Sequence, residues 1–126
     1  MARLAIRAKR IQPASDAAGL GAQWQRAFPS AKQVPIRRIE NGTVYAEIHT
    51  PCPLRGSGDV HACHRMMEFD RAVLDRAGGQ FVVLHSQAEP GRTHCEVAMR
   101  AKGVPLNDLV AAHQRSPARM DPGGSP

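Results

Sequence analysis

Three cysteines, a string of histidines and one aspartate set among apolar residues carry the chemistry open to this chain. Cys52 opens a Cys-Pro-Leu run, Cys63 lies in HACHRMMEFD, and Cys95 lies in THCEVAMRA. A thiolate can bind a soft metal or attack an electrophile, while a free thiol in a core is only a small hydrophobe. All three roles are open for each cysteine. Cys52, Cys63 and Cys95, with His94, His64 or Asp70 as a fourth ligand, could hold zinc or an iron–sulfur cluster. No Cys-x-x-Cys occurs, so the spacing matches no recognised finger. The run of Cys52, ten residues and Cys63-His64 also suggests covalent haem attachment, against which the lack of an export signal argues.

Asp70 is the most informative single residue. On a wheel at about 100° per residue, a helix over residues 60–77 gathers Ala62, Cys63, Met66, Met67, Val73, Leu74 and Ala77 on one stripe. Asp70 falls in the middle of that stripe, nearly above Cys63. A carboxylate there is costly to bury alone, so it calls for a raised pKa, a cation or a metal. The alternative is a helix at an edge, with Asp70 in water or on an arginine. Cys63, close to the helix start, should have a depressed pKa and could act as a nucleophile, with Asp70 or a histidine from elsewhere such as His85 or His94 as its base. His61 and His64 point to the other side of the helix.

A third signal is the run Arg55-Gly56-Ser57-Gly58 before that helix. Gly56 and Gly58 would let backbone amides approach an anion at a helix N-terminus, and Arg55 suits a carboxylate or phosphate. Asp59, a good N-cap, puts negative charge at the same place, and such a run can equally be only a turn.

These residues need elements to position them. The pattern predicts a helix over 14–28, capped by Ser15 or Asp16, with Trp24 and Phe28 on a packing face. Asn41-Gly42 between VPIRRIE and TVYAEIHT predicts a tight hairpin. Val44, Ala46 and Ile48 then share one face, and parity puts Cys52 on the same side. The helix over 60–77 ends at Gly78-Gly79. QFVVLHS is apolar on both faces, which predicts a central strand. THCEVAMRA alternates, with Cys95, Val97 and Met99 inward. LNDLVAAHQR predicts a last short helix, the tail from Ser116 should be disordered, and residues 1–12 read as a short strand or arm. The closure is an α+β domain over 1–115, a four-stranded antiparallel sheet (a ββαββ core) with helices on one face.

Composition limits the partners. Aromatic residues make up 4% of the 126, too few for base stacking, and the formal charge of +6 is scattered. An anionic ligand suits that charge, and nucleic acid is disfavoured. MARLAIRAKRIQ has no long apolar run, so neither a signal peptide nor a membrane span is expected, and the location follows as cytoplasmic. Exposed strand edges would allow a homodimer.

Cys52-Pro53-Leu54, Ala62-Cys63 with Asp70, and the stretch from Glu89 to Val97 are together similar to part of a larger group. That group comprises 4-vinyl-reductase-type ligand-binding domains and L-2-amino-thiazoline-4-carboxylate hydrolase-like proteins. The resemblance spans residues 44–100. It implies an α+β domain binding a small organic ligand or a metal near the cysteines. In the hydrolase branch it implies opening of a C–N bond in a small ring. The chain is shorter than that pattern on its N-terminal side, and its Cys63-to-Asp70 spacing is longer. The expectation is therefore a small-ligand or metal-binding domain with a cysteine- and aspartate-lined pocket. The alternatives are a hydrolase of a small cyclic substrate and a basic accessory protein whose cysteines are structural.

Overall fold

A computed structural model of the chain describes residues 11–115. The expected tail from Ser116, and all but the last two residues of the N-terminal arm, lie outside the described residues.

Helix α1 (Ala17–Gln25) begins where Asp16 Oδ1 accepts from Gly19 N at 2.7 Å. Its glycines weaken the helix locally, yet Gly21 has a packing reason. A Cβ there would stand 2.7 Å from Ile36 Cδ1 and 3.2 Å from Val44 Cγ1, so glycine lets the helix lie directly on the sheet.

Strands β1 (Ile36–Glu40) and β2 (Thr43–Ile48) form the expected hairpin. Asn41 and Gly42 take φ of 49° and 78°, the left-handed pair that a two-residue turn requires. On β2, Val44, Ala46 and Ile48 are buried, while Tyr45 and Glu47 are half-buried on the other face.

Helices α2 (Val60–Met66) and α3 (Glu68–Ala77) replace the single helix expected over 60–77. The break is at Met67, at φ −80° and ψ 8°. Met66, expected on the apolar stripe, lies just before the break and is 50% exposed. The ends match the sequence signals. Asp59 Oδ1 accepts from Ala62 N at 2.9 Å, and Gly78 closes α3 at a φ of 93°.

Gly79 passes straight into β3 (Gly79–His85), and β4 (Cys95–Ala101) returns. All pairings are antiparallel and the order is β1-β2-β4-β3. The central place predicted for QFVVLHS is therefore corrected: β3 is an edge strand. Its outward residues Val82 and Leu84 are half-buried although it has a partner on one side only.

The fold is α+β, a four-stranded antiparallel sheet whose inner face carries α1 and α3. Trp24, Leu20, Val73, Leu74, Val97 and Met99 fill the layer between them. The predicted last helix reduces to a 3-10 turn at Ala112–Gln114. Side chains hold the segment before it. Arg100, 8% exposed, places its guanidinium on both Asp108 oxygens at 2.6 and 2.7 Å, and its Nη1 also donates to Pro105 O. Among the described residues, no helix is long and apolar enough to cross a membrane.

Candidate functional site

Asp70 is 5% exposed and is placed by α3 against α1. Its Oδ1 accepts from Trp24 Nε1 at 2.9 Å. Burial raises its pKa to about 6, and the Trp24 bond offsets only part of that rise. Of the raised pKa, cation or metal that the sequence called for, the structure supplies the raised pKa, and it adds an indole donor. Trp24, read from sequence as a packing residue, is also the hydrogen-bond partner of this carboxylate.

Cys63 and Cys95 are each 2% exposed, while Cys52 is half-buried in the Cys-Pro turn. The three converge on the turn after β3. Gln87 N donates to Cys95 Sγ at 3.4 Å, Ser86 shares a side-chain hydrogen bond with Cys63, and Leu54 N donates to Cys52 Sγ. A charge on Cys52 acts on both of the other thiols. Even so, among the described residues no group of three or more His, Cys, Asp and Glu side chains is arranged to hold a metal ion. The expected metal set of Cys52, Cys63 and Cys95 is therefore not supported: Ser86 and Gln87 of the turn after β3 hold Cys63 and Cys95, and Leu54 N holds Cys52.

The depressed pKa expected of Cys63 is reversed. Burial pushes the Cys63 thiol up, and pushes Cys95 up to about 11. A raised pKa keeps the sulfur protonated at neutral pH, the reverse of what nucleophilic attack needs. Asp70 is bonded to Trp24 rather than to Cys63.

The Arg55–Gly58 loop does not present free amides. Gly56 N donates to Gln87 O at 2.9 Å, and Gly58 N donates to Ala88 O at 2.7 Å. Arg55 gives Nε and Nη2 to Gln87 Oε1 at 2.9 and 2.7 Å. Gln87, 1% exposed, donates its Nε2 to Ile48 O and Thr50 O. One buried glutamine thus ties the glycine loop to the end of β2. The Gly56 and Gly58 amides expected to meet an anion are spent inside the protein.

The open site lies elsewhere, on the outward side of the helix pair. A groove of about 580 Å³ runs along the free edge of β3 between α2–α3 and residues 106–114. Its apolar walls include Phe81, Val83, Leu106 and Leu109. Its polar lining includes His64, Arg71 and His113. The His64 and His113 rings stack with centroids 3.7 Å apart. Arg71 Nη1 stands 3.3 Å from His64 Nδ1, and Nη2 donates to Glu68 Oε1 at 2.9 Å. A guanidinium only donates, so His64 Nδ1 accepts and the proton of its neutral ring sits on Nε2. Burial, then neighbouring positive charge, lowers both imidazoles below the ordinary 6.5. The groove therefore carries one fixed cation and two neutral rings near neutral pH. His64 was legible as lying off the apolar stripe; Arg71 and His113 were not, because only the tertiary fold brings them to it.

A second polar cluster lies on the outer face of the sheet. His49 and His94 stack at 4.7 Å beside Glu47, which also accepts from Arg37 Nε at 3.0 Å. Burial acts to raise Glu47, but the His49 and Arg37 bonds prevail and its pKa is lowered. These groups satisfy one another on the surface. No protein-family model, curated protein or solved structure matches the chain.

Proposed function

We propose that this protein is a small-ligand-binding module, and that its site is the groove along the edge of β3. The observation that carries the reading is the groove itself, of about 580 Å³, mostly apolar, with a few convergent polar groups. Binding sites for small organic molecules have that size and that lining. Val82, half-buried on the edge strand, also lines the groove and supports the reading. Binding of a small organic ligand is also what the resemblance to the 4-vinyl-reductase-type domains implies. The reading moves the site from the cysteine and aspartate interior to the opposite side of the same helix pair. Cys63 does not favour the catalytic alternative, because burial raises its thiol.

The test is a screen of small organic compounds by thermal shift and by NMR chemical-shift mapping, repeated on Val110→Trp. Val110 lines the groove and is 54% exposed, so a larger side chain there fills the groove and leaves the core alone. Hits should shift the signals of His64 and His113 and lose binding in the variant. Hits that bind Val110→Trp unchanged, or no hit at all, would contradict the reading.

A further inference from the structure

We infer that the groove selects an amphipathic organic anion, a carboxylate on an apolar body, with Arg71 and His113 receiving the carboxylate. The inference rests on the groove being the binding site and adds the chemical class of its ligand.

The first argument is charge. Not one of the residues lining the groove is acidic, while Arg71, His64 and His113 all line it. A ligand cation finds only Glu68, already paired with Arg71, while a carboxylate finds a guanidinium. The second argument is that Arg71 is oriented yet available. Its side chain is 28% exposed, held by His64 on one nitrogen and by Glu68 on another. The Glu68 side chain is 74% exposed, so this is a surface pair of small net worth, readily exchanged for a ligand carboxylate. The bond to His64 remains during that exchange and fixes the guanidinium at the wall. The third argument is shape. A single fixed cation beside Phe81, Val83 and Leu109 suits one negative charge and an apolar body; a polyphosphate or a sugar would leave its polar groups unpaired against those walls.

The imidazoles make binding pH-dependent. The charged and titratable groups facing the His64–His113 pair are Arg71, Glu68 and His61, from the helix pair, and each ring faces the other. All but Glu68 disfavour a proton on these rings. A bound carboxylate adds a negative charge among them and favours protonation. His113 is the ring free to take the proton, because His64 Nδ1 already accepts from Arg71. Carboxylate affinity should therefore rise as the pH falls from about 7.5 to about 5.5.

The experiment is calorimetric titration of the full chain with three matched probes: 4-phenylbutyrate, 4-phenylbutanol and 4-phenylbutylamine. The acid should bind, the alcohol at least about tenfold more weakly, and the amine not at all. Arg71→Met should cost the acid at least about tenfold and the alcohol much less, which removes the preference for the acid. His113→Phe keeps an aromatic ring and should remove the pH dependence. Circular dichroism checks that each variant folds, and if Arg71→Met does not fold, the probe series and His113→Phe decide. Equal binding of acid and alcohol would overturn the anion class and leave the groove standing as a binding site. Binding of none of the three, while some other compound is lost in Val110→Trp, would overturn the class in the same way. Failure of every compound would remove the binding reading itself.

Discussion

Replacing Asp70 by asparagine should stabilise this protein at neutral pH. Asp70 is 5% exposed and its pKa rises from 3.8 to about 6 on folding. A raised pKa means that the folded state prefers the protonated carboxyl. Stability from this site is therefore complete below about pH 3.8, falls as the pH rises towards 6, and stays low above it. The full difference corresponds to about 3 kcal/mol. Asparagine keeps an oxygen for Trp24 Nε1, now donating to Asp70 at 2.9 Å, and removes the buried charge. Its amide hydrogens need partners of their own, at a cost of about 1 kcal/mol or more. The net expectation at about pH 7.5 is a gain of roughly 1–2 kcal/mol, or several degrees in Tm. At about pH 4 the gain should vanish, and the variant should lose the wild-type slope between the two conditions. Urea unfolding at both pH values measures this. A loss of stability in Asp70→Asn at neutral pH, with the wild-type slope intact, would refute the reasoning. It would mean that the folded protein stabilises the charged carboxylate.

Three further outcomes follow from other parts of the structure. Gln87→Ala breaks four side-chain hydrogen bonds and leaves Arg55 and two carbonyls without their partner, so it should cost about 2–4 kcal/mol in chemical denaturation. Gly79→Ala should destabilise by about 1–3 kcal/mol, since its Cβ would meet Leu20 Cδ2 at 2.9 Å and the backbone Arg100 O at 3.0 Å. Arg100 holds the Asp108 carboxyl down to about 2, so that contribution is present above 3.8 and is lost as the pH falls towards 2. Asp108→Ala should accordingly speed hydrogen exchange over residues 102–115 at neutral pH while the sheet stays protected.

Much of the architecture was legible because it depends on local chemistry. Asn41-Gly42 predicts a turn that only left-handed residues make easily, and both adopt it. Asp59 and Gly78 mark the two ends of the helical region by capping, which acts within one turn of chain. The alternation of Val44, Ala46 and Ile48 predicts which face is buried, because a strand has a period of two. Features set by distant contacts were missed. The break at Met67 has no proline or glycine to announce it. The apolar character of β3 suggested a central strand, when its second cover is the returning C-terminal segment and the groove. The glycine loop looked poised for an anion because nothing local says that Gln87 and Ala88 take its amides.

The candidate site divides along the same line. The helical wheel placed Asp70 and Cys63 inward, and both are buried. What it could not supply was the partner of Asp70, Trp24, which lies 46 residues away. Nor could it find the groove, which joins Arg71 of α3 to His113 of the C-terminal segment across the edge of β3. Those residues are unremarkable in sequence, and the wheel directed attention to the opposite face of the same helices.

The most direct test of the central claim is NMR mapping of the 4-phenylbutyrate complex through the imidazole carbons and the tryptophan indole. The rings of His64 and His113 should shift and saturate together, while the Trp24 indole beside Asp70 stays in place. Saturable shifts at Trp24 and around Cys63 and Cys95, with the two histidines unmoved, would put the site back in the cysteine and aspartate interior and contradict the account.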